Sequence, residues 1–208
     1  MKSNQRRVTN HHRPRLGVDI GRVIIGTAAL GGQADTSFLS GGDEAAMATP
    51  AARGAAEALG RLTEAFDGQV WLVSKCGPRI QARSRRWLRH QRFFDRTGIA
   101  ESHLRFCRKR HEKRGHAEAL GLSFFVDDRA DVLRHLLGLV PHLYLFGHQK
   151  PGQTALRGTK TTLDWARAER SLLDDLAEFR RNRGDEPHAV RALEEDMTGV
   201  SHVEGGDS

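Results

Sequence analysis

Four groups of polar residues along this chain could bind phosphate and a divalent cation. A carboxylate can attack a phosphoryl group or bind Mg²⁺, a hydroxyl can donate to a phosphate oxygen, and a lysine neutralises phosphate charge. Three of the groups end apolar runs, and one precedes a helical stretch. In chain order they are Asp19, Ser74 with Lys75, Lys113, and the adjacent pair Asp127 and Asp128. Their residue types are compatible with phosphoryl chemistry.

Each group also has a simpler structural explanation. Asp19 could stabilise a turn after a strand, and the Ser74 hydroxyl could form a local backbone hydrogen bond. Lys113 could be one solvated charge among several, with Lys109 as a rival for the same role. Asp128 could cap the helix that follows it, a role that is compatible with metal binding nearby. The chemical interpretation therefore depends on the four groups occurring together.

The apolar runs predict the strands that would position these groups. We predict five strands separated by helices, a pattern typical of a parallel sheet with right-handed crossovers. The carboxyl ends of parallel strands form the ligand crevice of such a sheet, so residues at the ends of the runs would face a site. The predicted strands are Leu16–Ile20, Val70–Val73, Leu104–Cys107, Phe124–Asp127 and His142–Phe146.

Helices and loops are predicted from apolar periodicity, capping residues and glycine content. Thr49 would cap a helix that has Pro50 at its first position. The other predicted helices are Ile80–Phe94, Gly115–Leu120, Ala130–Leu137 and Thr161–Phe179. The predicted loops are 27–49, which could instead be a very small cap, 74–78 and 147–158.

Length and composition indicate one folded domain with tails. A chain of 208 residues, of which 38% are hydrophobic, can bury one ordinary core. Residues 1–14 lack a hydrophobic period and carry basic side chains, which predicts a disordered basic arm. The periodicity fades after Arg180, so a mostly disordered tail is predicted over 181–208. The domain would then occupy 15–180, with a minimal cap around 27–49.

The order of acid, hydroxyl, lysine and acid pair resembles the four-motif order of the haloacid dehalogenase-like (HAD) hydrolase superfamily. The resemblance extends from Leu16 to about Gly147. The small insertion before Thr49 and the sequence Val73-Ser-Lys-Cys-Gly-Pro78 look most like the nucleotidase-like branch, which has little or no cap. The resemblance implies an α/β three-layer sandwich with a five-stranded parallel Rossmann-like sheet. The implied strand order is third, second, first, fourth, fifth, with the Asp19 strand in the middle.

The resemblance also implies a role for each group. Asp19 would attack a phosphate monoester and form an aspartyl-phosphate, while Lys113 neutralises the nucleophile. The implied phosphate ligands are Ser74, Lys75 and Lys113. The implied Mg²⁺ ligands are Asp19, the backbone carbonyl of Gly21, Asp127 and Asp128. Because adjacent strand residues point in opposite directions, one carboxylate of the pair would bind directly and the other through water or after the chain turns.

One position departs from the superfamily pattern. In its phosphatases, the residue two positions after the nucleophile is a second aspartate, which protonates the leaving oxygen and later activates water; here it is Gly21. Loss of such an acid/base typically removes about 10²- to 10⁴-fold of the rate. The sequence therefore predicts a slow hydrolase, and the alternative is a non-catalytic protein that retains phosphate and Mg²⁺ binding.

The charge distribution favours anionic partners. The formal net charge is +7, and a basic surface attracts phosphorylated or polyanionic molecules. A phosphorylated small molecule or a nucleotide is the first expectation. The basic arm and the Arg79–Arg92 helix could also bind nucleic acid, which gives a third functional alternative. No pattern of interleaved aromatic residues indicates a dedicated single-strand binder.

Three features bear on cellular location. No apolar run approaches the ~20 residues that a membrane-spanning helix needs. The first fifteen residues lack the apolar segment of a signal peptide. Cys76 and Cys107 cannot form a disulfide framework in a chain of this size. We therefore expect a cytoplasmic protein with reduced thiols and no membrane association.

Overall fold

The structure, a computed structural model, describes residues 13–26, 36–149 and 156–184. Several expectations therefore lie outside the described residues. They concern most of the basic arm, the first part of the 27–49 insertion, the middle of the 147–158 loop and the tail after residue 184. The chain divides into two compact units, 1–173 and 174–208. The described part of the second unit is the end of a helix and the turn that follows it.

The first unit contains a six-stranded parallel sheet. Its strands are β1 Leu16–Val18, β2 Val70–Lys75, β3 Leu104–Cys107, β4 Phe124–Asp127, β5 His142–Phe146 and β6 Lys160–Thr162. Their order across the sheet is β3-β2-β1-β4-β5-β6, and every neighbouring pair is parallel. The α/β class, the parallel sheet and the order predicted for the first five strands are confirmed.

The predicted number of five strands is wrong, because Lys160–Thr162 adds a sixth. This strand pairs with β5 and places Thr161 opposite Leu145. The sequence Lys-Thr-Thr has no apolar run, and two of its three residues are exposed. It therefore lacks the signal that identified the other strands. The helix predicted from Thr161 begins instead at Trp165.

The described residues contain eight α-helices. They are α1 Thr36–Ser40, α2 Asp43–Met47, α3 Ala55–Ala65, α4 Pro78–His90, α5 Phe93–Thr97, α6 Lys113–Leu120, α7 Ala130–Leu136 and α8 Trp165–Arg181. Short 3₁₀ turns occupy Glu101–His103 and Arg110–Glu112. Within the described ranges, no helix combines the length and the apolar character needed to cross a membrane.

The helix predicted from Pro50 begins later in the chain. Its first residue is Ala55, and Gly54 before it takes the left-handed conformation with φ 76°. The Thr49 hydroxyl donates a hydrogen bond to the Ala45 carbonyl (3.1 Å) at the end of α2. Thr49 therefore closes the preceding helix instead of capping the next one, which makes the predicted cap wrong.

Two other helices have different limits from those predicted. The helix predicted over Ile80–Phe94 ends at His90, because Arg92 takes the left-handed conformation (φ 50°) and the chain turns into α5. In contrast, α6 is longer than the predicted Gly115–Leu120 and begins at Lys113. The first residue of α6 is thus Lys113, which the sequence analysis predicts to precede the helix.

Helices cover both faces of the sheet. Successive strand residues point to opposite faces, so each face presents its own set of side chains to a helix layer. On one face, α6 and α7 pack on β2, β4 and β5 through a buried cluster. This cluster includes Trp71, Val73, Ala117, Phe125, Leu133 and Leu145. On the other face, the Phe124 ring meets the Phe66 ring edge to face, with centroids 5.1 Å apart. Nearby, the Phe146 ring lies 5.3 Å from the Trp165 ring at the beginning of α8.

Gly17 allows close packing beside the strand that leads to Asp19. A Cβ atom at Gly17 would lie 2.5 Å from Phe125 Cδ2 and 2.6 Å from Leu122 Cδ1. No larger residue fits at this point unless the Phe125 ring moves, because protein cores are closely packed. The missing side chain of Gly17 therefore leaves room for the Phe125 ring of the neighbouring strand β4 and for Leu122, which follows α6.

Candidate functional site

Asp19 and Asp127 lie side by side at the carboxyl edge of the sheet. Their strands are neighbours, with Val18 opposite Val126. The Asp19 N–H extends this pairing one residue beyond β1 by donating to the Val126 carbonyl (2.9 Å). Both aspartates are buried. This edge is where open α/β sheets bind their ligands.

Lys113 joins the two carboxylates. Its Nζ donates to Asp19 Oδ1 (2.6 Å) and to Asp127 Oδ2 (2.7 Å), and only 2% of its side chain is exposed. The rival Lys109 is exposed and is not among the residues that line the cleft beside the carboxylates. The structure thus places Lys113, and not Lys109, at the position where a lysine can neutralise Asp19.

A short turn brings Lys113 into position. Glu112 Oε2 accepts hydrogen bonds from the backbone N–H groups of Arg108 (2.9 Å) and Lys109 (3.1 Å). These two bonds stabilise the ionised carboxylate and lower the pKa of Glu112 below its ordinary value. They also close the loop after β3, so that α6 begins at the next residue, Lys113.

Burial and charge shift the pKa values of this cluster. Burial raises the pKa of Asp127 to about 7; the Asp19 and Asp128 charges add to this effect, and Lys113 opposes it. Burial alone would lower the pKa of Lys113, but the charges of Asp127 and Asp19 outweigh it and hold this pKa above its ordinary value. Lys113 therefore remains an ammonium ion at neutral pH.

Asp128 joins the cluster because the chain turns directly after β4. Asp127 Oδ1 accepts a hydrogen bond from the Arg129 N–H (3.0 Å) in this turn. The Asp128 carboxylate forms an ion pair with Arg22. Burial and then the Asp19 charge raise the pKa of Asp128 to about 6, while Arg22 opposes the shift. The residue at the N-cap position of α7 is Arg129 and not Asp128, so the alternative that Asp128 caps this helix is wrong.

The three carboxylates could hold a divalent cation. One oxygen from each of Asp19, Asp127 and Asp128 lies within 4.8 Å of the others. Their negative charges contact two cationic side chains, Lys113 and Arg22. Hard oxygen atoms with a remaining excess of negative charge suit Mg²⁺, which takes one or two carboxylates and keeps several waters. The residues present therefore fit the ion that the resemblance implies.

Ser74 and Lys75 line the same cleft as the carboxylates. The cleft has a volume of about 310 Å³. The two residues are the last of β2, which is longer than the predicted Val70–Val73, and Ser74 is buried whereas Lys75 is exposed. The structure thus brings both residues to the carboxylates, where phosphate ligands would be required.

Gly21 also lines the cleft, and its backbone can accept another residue. Its φ angle lies outside the left-handed region, which the next residue, Arg22, occupies with φ 59°. A Cβ atom at Gly21 would have one contact within 4 Å among the described residues, with Asp19 Oδ2 at 3.9 Å. A side chain at position 21 would therefore extend beside the Asp19 carboxylate.

The sequence interpretation missed half of the described residues that line the cleft. The additional cationic residues are Arg22, Arg110 and Arg129, and the additional apolar residues are Ile25, Phe38, Leu39 and Val132. Nearness in sequence to Asp19, Lys113 or Asp128 was the only available signal for the three arginines. Such nearness does not specify the direction of a side chain after a turn. The apolar residues of α1 come from a segment with no phosphate-binding pattern.

Arginines of α4 attach α1 beside the cleft. The buried Arg83 donates to the backbone carbonyls of Phe38 (2.8 Å) and Leu39 (3.4 Å). Arg79 donates to the Leu39 carbonyl as well (3.0 Å). The part of the small cap that the structure describes is thus held by side chains of a neighbouring helix, and its Phe38 and Leu39 form part of the cleft wall.

The other arginines of the Arg79–Arg92 segment also contact protein groups. The pairs are Arg85 with the Phe106 ring, Arg86 with Asp43, Arg89 with Glu101 and Arg92 with Asp95. Exposed ion pairs of this kind contribute little to stability. They nevertheless give the basic segment a structural explanation that requires no nucleic acid.

Comparisons with known proteins do not assign the chain. No protein-family model matches it, and no curated protein matches it. Membership of the HAD superfamily therefore stays a prediction, and the function is argued from the geometry of the site.

Proposed function

We propose that this protein is a Mg²⁺-dependent phosphohydrolase that cleaves a phosphate monoester through an aspartyl-phosphate at Asp19. The observation that carries the proposal is the buried Lys113 ammonium, which binds both Asp19 and Asp127 beside an open cleft. A carboxylate that attacks a phosphate dianion needs fixed positive charge, because the two anions otherwise repel each other. The resemblance to the HAD superfamily supports the same assignment.

Asp19 is the proposed nucleophile, and Lys113 orients it. Oδ1 accepts the lysine hydrogen bond, so we assign the attack on phosphorus to Oδ2. The bond between phosphorus and the ester oxygen breaks as the bond from Oδ2 forms, and the leaving group departs with the ester electrons. Water then attacks phosphorus in the aspartyl-phosphate, which releases orthophosphate and restores the carboxylate.

Other residues of the cleft bind the phosphate and hold the lysine. The Ser74 hydroxyl and the Lys75 ammonium would donate to phosphoryl oxygens, and donors that carry charge form the stronger hydrogen bonds. Asp127 orients Lys113 through its Oδ2 and is itself fixed by the Arg129 N–H. The nucleophile and its counter-charge thus keep their positions before substrate binds.

Mg²⁺ fits the same proposal. Its ligands would be Asp19, Asp127, Asp128 and the carbonyl of Gly21. When bound, the ion would supply positive charge that polarises the phosphoryl oxygens and reduces the repulsion between phosphate and carboxylates. Lys113 and Arg22 alone neutralise only part of the negative charge of the cluster.

A panel of phosphomonoesters assayed with and without Mg²⁺ tests the proposed function. We expect orthophosphate release that requires Mg²⁺ and stops when EDTA is added. Hydrolysis that persists in EDTA would exclude the metal from the reaction. If Mg²⁺ and phosphate bind but no ester of the panel is hydrolysed, the non-catalytic binding protein becomes the better account.

The affinity for Mg²⁺ is expected to fall as the pH decreases from about 8 to about 5.5, because protons compete for the ligand oxygens. Burial raises the pKa of Asp127 to about 7 and that of Asp128 to about 6 without the ion. Both carboxylates are therefore largely ionised at about pH 8 and largely protonated at about pH 5.5. Titration calorimetry in buffers with different ionisation enthalpies measures the affinity and the protons released. A constant affinity without proton release would contradict this prediction.

Gly21 predicts a specific kinetic signature. Without an acid/base at this position, departure of the leaving group and hydrolysis of the aspartyl-phosphate should both be slow. A substrate with a good leaving group, such as p-nitrophenyl phosphate, relieves only the first step. We therefore expect a burst of nitrophenol followed by slow steady-state turnover.

Gly21→Asp should raise the steady-state turnover by about 10²-fold or more, because it restores a proton-transfer group beside Asp19. The backbone at Gly21 has an ordinary φ, and the Cβ direction is open apart from Asp19 Oδ2. Rapid mixing with p-nitrophenyl phosphate measures the burst and the steady state.

Gly21→Asn is the matched control, since it has the same size but cannot supply the proton. It should show no gain in turnover. If the wild type turns over quickly without a burst and Gly21→Asp changes nothing, another residue supplies the acid/base, and the interpretation of Gly21 as the cause of slow turnover is wrong.

A further inference from the structure

We infer that the substrate is a small phosphate monoester that carries a second anionic group, a phosphate or a carboxylate, and that Arg110 and Arg129 bind this group. The inference rests on the proposed function and specifies its substrate class. It comes from two arginines that line the cleft and whose side chains have no role in the phosphohydrolase mechanism above.

Arg110 and Arg129 converge from different parts of the chain. Arg110 belongs to the 3₁₀ turn before Lys113, and Arg129 follows the carboxylate pair at the end of β4. Arg110 Nη1 lies 3.3 Å from one oxygen of Asp131, and Arg129 Nε lies 3.0 Å from the other. Two guanidinium groups therefore share one carboxylate, which neutralises only one of them.

The two arginines remain accessible from the cleft. Their side chains are 42% and 39% exposed, so they can bind an incoming anion without first being uncovered. A guanidinium group offers a planar set of donors that matches phosphate and carboxylate oxygens. The pair thus has the charge, the access and the donor geometry of an anion subsite.

The charge of the whole cleft supports a second anion. Among the described residues that line it, five are cationic and three are carboxylates. The cations are Arg22, Lys75, Arg110, Lys113 and Arg129, and the carboxylates are Asp19, Asp127 and Asp128. Bound Mg²⁺ would add two positive charges, which a phosphate dianion would balance. Asp131 neutralises one of the two excess cationic side chains, so one positive charge would remain for a further anionic group.

The size of the cleft favours a small molecule over a polymer. Its volume of about 310 Å³ lies at the lower end of the range for small-ligand pockets, about 300–1,000 Å³. Leu39 and Ile25 also line the cleft, and these apolar side chains can contact the carbon skeleton between the two anionic groups. A compact bis-anion therefore matches both the charge and the volume.

The test compares substrates that differ in the second anion. Glycerol 3-phosphate carries only the ester phosphate, whereas 3-phosphoglycerate adds a carboxylate at similar size. With Mg²⁺ present, we expect kcat/KM to be about tenfold or more higher for 3-phosphoglycerate, in keeping with a charge-assisted contact. Added NaCl should reduce this preference, because the arginines are partly exposed.

Variants of Arg110 test the assignment of the subsite. Arg110→Gln should reduce the preference about tenfold, whereas Arg110→Lys, which keeps the charge, should retain most of it. Arg134→Gln is the matched control: it removes one exposed arginine of α7 that does not line the cleft. This control should keep the wild-type preference.

The possible outcomes separate this inference from the function on which it rests. If neither of these two substrates nor any ester of a wider panel is hydrolysed, the proposed function is refuted. Hydrolysis of both with equal kcat/KM, or a preference that Arg110→Gln leaves intact, would overturn the second-anion inference alone. A higher kcat/KM for 5′-phosphorylated dithymidylate than for thymidine 3′,5′-bisphosphate would show that the second anion belongs to a nucleic-acid chain, which would overturn the small-molecule assignment.

Discussion

Asp19→Asn is expected to lower phosphomonoester turnover by about 10⁴-fold or more and to abolish the burst, because the amide cannot form the covalent intermediate. The substitution preserves the shape of the side chain. It can also keep one acceptor for Lys113, since the amide oxygen can replace Oδ1. Rapid quenching with ³²P-labelled substrate should give a hydroxylamine-sensitive acyl-phosphate in the wild type and none in the variant.

The control for this experiment is Asp95→Asn, which changes an exposed aspartate outside the cleft. It should leave both the burst and the turnover close to the wild type. A similar loss of activity in both variants would indicate a general effect of the substitution. If Asp19→Asn keeps a tenth of the wild-type turnover or a labelled acyl-phosphate, Asp19 is not the nucleophile and the proposed mechanism fails.

Lys113→Met is expected to reduce the free energy of unfolding by about 3–5 kcal/mol at about pH 8 without Mg²⁺. Methionine fills a similar volume but removes the positive charge between Asp19 and Asp127. Two buried carboxylates would then face each other without a counter-ion. Urea unfolding in EDTA measures the loss.

The dependence on pH and metal distinguishes this explanation from a simple packing defect. At about pH 5.5 the loss should be smaller, because protonated carboxylates need no counter-ion. Mg²⁺ should restore more stability to the variant than to the wild type if it binds the folded state. Lys75→Met, at an exposed position in β2, should leave the unfolding midpoint nearly unchanged. A loss that is independent of both pH and Mg²⁺ would contradict the charge explanation.

The strands that carry the site were predictable because each is an apolar run that ends in a polar residue. Burial on both faces of a parallel sheet requires such runs, and the strand limits of β3, β4 and β5 match those predicted. The positions of Asp19, Ser74 and Asp127 at one edge of the sheet follow from parallel pairing. Lys113 could be placed near them only through the resemblance, since its contacts span long separations along the chain.

The parts that could not be predicted depend on contacts between distant residues or on turn geometry. β6 is a polar segment that becomes a strand by pairing with the edge of β5. The ion pair of Arg22 with Asp128 depends on the backbone of Arg22 itself, which takes the left-handed conformation. This conformation is uncommon for a residue other than glycine. The convergence of Arg110 and Arg129 on Asp131 depends on two turns that meet only in the folded chain.

The attachment of α1 has a consequence for how this protein could diversify. Arg79 and Arg83 bind the backbone carbonyl of Leu39, a group that every amino acid possesses. The Leu39 side chain lines the cleft and is itself 46% exposed. The anchoring bonds therefore do not depend on which side chain occupies position 39. Natural drift or a mutagenesis library can alter the wall at that point while the anchor stays in place, which makes this position a natural starting point for the evolution of new substrate preferences.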